Sequence, residues 1–160
     1  MPVIALGRLI GAHAELTREL TARLVEQHDL TMSEYEVLLL LARAPDRRMR
    51  RVDVAQEVRL SPSGVTRMLD RLEATDLVEK GSCASDARVT YAVLTDAGLA
   101  KLKECTPSHF AAVERLLGER LDEEEVASLA ELLGRLSEPD DQVCEDAANV
   151  AEPEATAPTG

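Results

Sequence analysis

The chain has 160 residues, 45% hydrophobic and 30% charged, the make-up of a globular protein of about one domain, and only 2% aromatic, so its core must be aliphatic. No apolar run approaches the ~18–20 residues of a membrane span, and the N-terminus lacks the apolar stretch and cleavage site of a secretory leader. Three cysteines (Cys83, Cys105, Cys144) without a CxxC pair indicate neither a zinc ribbon nor a disulfide framework, and a net charge of −12 argues against nucleic acid unless the charge is unevenly spread.

A first helix is expected from about Ile4 to His28. Leu9, His13, Leu16, Leu20 and Leu24 recur at three- and four-residue steps and form one apolar stripe. So long a stripe needs a partner to cover it. Thr31 and Glu34 have the spacing of a capping box, so a second helix starts near Thr31, with the apolar run Val37–Ala42 buried on most sides. Pro45 ends it, and Asp46, Arg47 and Arg48 read as a polar loop.

The stretch 47–71 holds seven arginines (47, 48, 50, 51, 59, 67, 71) against Asp53, Glu57 and Asp70, a local balance of +4 in an acidic chain. Within it Val52–Val58 forms a short helix with Val54, Ala55 and Val58 inward, followed by a tight Arg59-Leu60 connection. Ser61 is an N-cap and Pro62 suits the first helical position. Val65, Met68, Leu69 and Leu72 then fall on one face, and Ser63, Thr66, Arg67, Asp70 and Arg71 on the other. A short helix, a tight turn and a capped helix with a polar outer face form a helix-turn-helix pattern. Leu77–Gly81 and Val89–Leu94 are β-prone and flank the small polar loop 82–88, which makes a hairpin, or wing.

Thr95 can cap a long helix reaching about Leu117. Asp122 starts a last one, with Glu123, Glu124 and Glu125 in its first turn and Val126, Leu129, Leu132, Leu133 and Leu136 expected inward. Residues 138–160 carry seven acids and no base, with no periodicity, and are expected to be a disordered acidic tail. No Gly-rich phosphate loop, GxSxG or paired-carboxylate arrangement is present, and the three His are scattered. The expectation is no enzyme, no metal and no cofactor.

In residues as well as order, the chain resembles the MarR family of winged helix-turn-helix transcriptional regulators. LTMSEYEVLLLLA (30–42) is similar to the family's second helix, VAQEVRLSPSGVTRMLDRLEATDLVEK (54–80) to its helix-turn-helix, and SDARVTYAVLTDAG (85–98) to its wing and the turn after it. The resemblance covers about residues 5–137. It implies a mainly α (α+β) fold, with residues 1–30 and 96–137 as a helical dimerisation region and 31–95 as the DNA-binding domain. Two departures are Asp76 and Arg59, at places where many members carry Gly.

The resemblance sets further expectations. Ser63, Thr66, Arg67 and Arg71 would face the major groove of double-stranded DNA, with Ser61 helping the helix N-terminus to hold a phosphate. Arg88 would reach the minor groove while Asp86 orients the wing. Arg47, Arg48, Arg50, Arg51 and Arg59 are backbone contacts or merely solubilising charge. A homodimer would read a pseudo-palindromic operator. Members of the family often bind small phenolic or anionic effectors, and His13, Arg18 and Tyr35 are candidates to line such a pocket or to be ordinary packing and surface residues. Cys83, exposed near Arg88, would make the chain a redox-responsive regulator, whereas Cys105 reads as helix packing. The function expected is thus a cytoplasmic, homodimeric, sequence-specific repressor released by a small molecule. A winged-helix protein-interaction module that has lost DNA binding is the other possibility.

Overall fold

The computed structural model describes residues 1–58, 60–82 and 89–136. Ten elements follow in chain order: α1 (Pro2–His28), α2 (Met32–Arg43), a 3₁₀ turn (Pro45–Arg47), β1 (Arg48–Arg50), α3 (Arg51–Glu57), α4 (Pro62–Ala74), β2 (Val78–Ser82), β3 (Thr90–Leu94), α5 (Asp96–Gly118) and α6 (Glu123–Gly134). The fold is mainly helical with one small antiparallel sheet, as expected for a winged helix-turn-helix.

Helix starts lie where the capping chemistry places them. The Thr31 N–H donates to Glu34 Oε2 at 2.7 Å and the Glu34 N–H to Thr31 Oγ1 at 3.3 Å, which closes the capping box before α2. Ser61 Oγ accepts from the Gly64 N–H at 3.2 Å, with Pro62 opening α4. Asp122 and Glu125 close a second box at α6.

Two helices end on an aspartate in the left-handed region. Asp29 (φ 54) follows α1 and Asp76 (φ 58) follows α4. At each, paired backbone bonds seal the helix end: Asp29 N–H to the Val25 carbonyl and Leu30 N–H to Leu24, then Asp76 N–H to Glu73 and Leu77 N–H to Leu72. The turn at Asp76 survives without glycine because a short polar side chain tolerates this conformation better than most.

One strand lies where a loop is expected. Arg48–Arg50 is β1, paired antiparallel to β3 with Met49 opposite Ala92, and the sheet runs β1-β3-β2. Asp46 and Arg47, both at positive φ, form the bend that feeds it. Three residues carry no periodicity of their own, so the strand exists only through its pairing with β3.

By contact the chain divides into two compact units. One holds Glu36–Pro107. Its buried side chains include Val54 of α3, Val65, Leu69 and Leu72 of α4, Val78 of β2, and Ala92 and Leu94 of β3. Here the expected inner face of α4 is the buried one. Just before α5, the Thr95 hydroxyl accepts from the Gly98 N–H at 2.9 Å and donates to the carbonyls of Asp76 and Leu77 at 2.6 and 3.1 Å. It thereby ties the start of that helix to the end of α4.

The other unit holds, among the described residues, Met1–Tyr35 and 108–136. The antiparallel arrangement of α1 and the second half of α5 follows from three contacts. His28 meets Ser108 at 2.7 Å, Glu19 meets Arg115 at 3.8 Å, and Glu15 meets Arg120 at 3.8 Å. The α1 stripe is only partly covered: Leu24 is buried, Leu16 and Leu20 are half-buried, and Leu9 and His13 are exposed. Of the residues expected inward on the last helix, Val126 is half-buried and the four leucines are not buried. Leu129, Leu132, Leu133 and Leu136 are exposed in the single chain, Leu136 to 75%. The periodicity correctly marks an apolar face, but none of the described residues covers it.

Two titratable groups, Cys105 and His109, are buried. Burial pushes the Cys105 thiol up to about 11, and its Sγ donates to the Leu102 carbonyl. This fits the expected packing role. His109 stacks on Tyr35 with ring centres 4.6 Å apart, and its Nδ1 has no hydrogen-bond partner among the described residues. Burial holds its imidazole below the ordinary value, so the fold favours the neutral ring. The unfolded chain binds a proton at about pH 6.5 and the folded chain only further down, so stability present above that pH is lost as the medium is acidified through it. The melting-temperature advantage of the wild type over His109→Gln is therefore expected to shrink between pH 7.5 and 5. A difference constant across that range contradicts this.

A candidate nucleic-acid interface

The outer face of α4 is built by subtraction. Val65, Met68, Leu69 and Leu72 fill the interior, which leaves Ser63, Thr66, Arg67, Asp70 and Arg71 exposed on one side of the helix. Ser61 Oγ lies 3.3 Å from Ser63 Oγ, and the Thr66 hydroxyl donates to the Pro62 carbonyl at 2.9 Å. That bond uses the Thr66 proton and leaves its lone pairs as acceptors. Arg67 makes no hydrogen bond or ion pair among the described residues and projects into solvent. Arg71 sits one turn further on, near the C-terminal end.

The basic stretch looks different once its partners are known. Arg47 pairs with Asp96 at 2.8 Å. Arg50 grips Asp53 through two bonds of 2.7 and 2.9 Å, and this carboxylate raises the Arg50 pKa further. Arg51 turns to Asp70 and Glu73 at 3.3 and 3.2 Å. Arg48 lies over the Tyr91 ring, 5.0 Å from its centre. The pairs of Arg47 and Arg50 are exposed and easily exchanged for a phosphate, whereas the Arg51 side chain is only 17% exposed. Spacing could not reveal these pairs, since Arg51 and Glu73 are 22 residues apart in the chain.

The remaining candidates fall in three places. Arg59, Cys83, Asp86 and Arg88, like the 138–160 tail with Cys144, lie outside the described residues. His13 and Arg18 are on exposed faces of α1, while Tyr35 is buried against His109. The small cavity beside His109 is lined by Leu20, Arg23, Leu24, Gln27, Ser108, His109 and Ala112, and none of these three candidates borders it. Among the described residues, no group of three His, Cys, Asp or Glu is placed to hold a metal ion, and no helix is long and apolar enough to cross a membrane.

Known proteins share this arrangement. Residues 28–89 match the model of the MarR family. The HTH-type transcriptional regulator MhqR of Bacillus subtilis is 30% identical over 112 residues, 70% of this chain and 75% of that protein. The crystal structure of Sco3205, a MarR family transcriptional regulator from Streptomyces coelicolor in complex with DNA, superimposes with a TM-score of 0.75 at 28% identity, covering 86% of this chain and 88% of that one. A mutant of MarR from E. coli complexed with operator DNA gives 0.72 at 28% identity, covering 84% and 95%. The chain belongs to the MarR family of DNA-binding transcriptional regulators and is not an enzyme.

Proposed function

We propose that the protein is a cytoplasmic, homodimeric, sequence-specific repressor that binds a pseudo-palindromic operator and is released by a small phenolic or anionic effector. The observation that carries the DNA reading is the exposed α4 face with Arg67 unpaired among the described residues and Ser63 and Thr66 beside it. Arg67 reads guanine through O6 and N7, and Ser63 and Thr66 take a base edge or a phosphate oxygen. The helix N-terminus capped by Ser61 holds a phosphate. Arg71 follows along the groove, and Arg88 of the wing enters the adjacent minor groove with Asp86 orienting it. Arg47, Arg48, Arg50 and Arg59 contribute sequence-blind attraction to the backbone. Support for the dimer comes from the uncovered apolar faces of α1 and α6. The effector reading rests on the family alone, with His13, Arg18 and Tyr35 as its candidates.

The test is a gel-shift series against duplexes selected by the wild-type protein from a random library. Arg67→Ala is expected to cost about 1–3 kcal/mol on the selected duplex and to relax base preference at its own position, while Arg48→Ala weakens all sequences alike. Equal effects of both variants on every duplex refute this division of roles. A protein that shifts no duplex at low salt refutes the reading as a whole and leaves the interaction module.

A further inference from the structure

The recognition helix is held by charge as well as by its apolar face. Arg51, at the first position of α3, sends Nη2 to Asp70 Oδ1 at 3.3 Å and Nη1 to Glu73 Oε1 at 3.2 Å. The second oxygen of Glu73 lies 3.4 Å from Lys80 Nζ on β2. The side chains of Arg51 and Glu73 are 17% and 18% exposed, so water screens their pair poorly, whereas Asp70 and Lys80 are 54% and 59% exposed. One carboxylate near the end of α4 therefore holds a cation from the helix before it and a cation from the strand after it.

We propose that Glu73 is a positioning residue that sets DNA specificity, a reading that rests on the DNA-binding function above. It acts in two ways. It fixes α4 against α3 and β2, so that Ser63, Thr66 and Arg67 meet base edges within hydrogen-bonding distance, where sub-ångström misplacement loses the bond. It also keeps the poorly exposed Arg51 occupied, whereas the exposed Lys80 stays open to exchange. A free lysine or arginine beside DNA adds phosphate attraction that carries no sequence information. Withholding such a cation lowers affinity for every duplex and leaves base contacts as a larger share of the total.

The experiment uses the full chain, a duplex selected by the wild type and a scrambled duplex of the same composition, each titrated over a salt series. Glu73→Gln keeps the size and removes the charge. It is expected to lower the selected-to-scrambled affinity ratio about tenfold. It should also steepen the salt dependence on the scrambled duplex by about one unit, as the released Arg51 finds a phosphate. Arg51→Met guards against a variant that merely fails to fold. With Arg51 already held by carboxylates, it should leave the scrambled-duplex salt slope at the wild-type value, with native circular dichroism. Three results overturn the proposal: an unchanged ratio for Glu73→Gln, a ratio that falls only in step with loss of native circular dichroism, or a slope about one unit shallower for Arg51→Met, which makes Arg51 a phosphate contact. A wild type that fails to discriminate between duplexes removes the underlying function and this role with it.

Discussion

Gly98→Ala is expected to lower stability by about 3 kcal/mol, the upper end of what an inserted methyl does in a packed site. A Cβ at Gly98 collides with the backbone carbonyl of Leu77 and comes within 2.7 Å of Leu94 Cδ1. The Leu94 side chain can rotate aside, but the carbonyl is fixed. It accepts from the Thr95 N–H at 3.2 Å and from the Thr95 hydroxyl at 3.1 Å, and the same hydroxyl caps α5 through the Gly98 N–H. Moving Leu77 away therefore breaks the bonds that start the helix. For a chain of this length, 3 kcal/mol is a drop in Tm of roughly 6–12 °C, visible in a thermal melt followed by circular dichroism. Because β2 begins at Val78, DNA affinity should fall with it. A melt within about 2 °C of the wild type means the segment relaxes and the contact is not tight. Gly118 makes the control, since nothing lies within 4 Å of a Cβ added there.

The second large effect concerns the uncovered apolar face. Leu132 and Leu136 of the α6 segment are 55% and 75% exposed, and at the start of α1 Val3, Ile4, Leu6 and Ile10 are exposed to between 54% and 82%. Monomers seldom leave so many large apolar residues in water on neighbouring turns. In the proposed dimer a second copy covers them. The double variant Leu132→Asp with Leu136→Asp should therefore sediment as a monomer. Its affinity for a two-half-site duplex should fall by about 10²–10⁴, because the second half-site no longer benefits from a high effective concentration. Affinity for a single half-site should change little. A wild type that sediments as a monomer, or a variant that remains a dimer with full affinity, removes the two-fold arrangement.

The sequence was most informative where chemistry is local. Thr31 with Glu34, Ser61 with Pro62 and Asp122 with Glu125 each satisfy backbone N–H groups within a few residues, so spacing alone places three helix starts. The inner face of α4 was legible for the same reason. What stayed hidden depends on distant partners. Arg48–Arg50 has neither the length nor the alternation of a strand and takes its form from β3, some forty residues on. The +4 stretch reads as one basic patch until Asp96, Asp53, Asp70 and Glu73 are seen beside its arginines. The α6 stripe shows that a face wants covering but not that the described residues of its own chain leave it bare. Of the candidate site, the α4 face could be read from residue order, while the holding role of Glu73 could not.

The aspartates that close α1 and α4 carry a further implication for handling the protein. Each puts a Cβ where the backbone turns left-handed and sets a negative group at the electronegative end of a helix, two small penalties on one residue. Neither is among the residues of the exposed α4 face. They are natural positions at which to toughen the protein for crystallography or for long binding assays, with the reading of DNA left untouched.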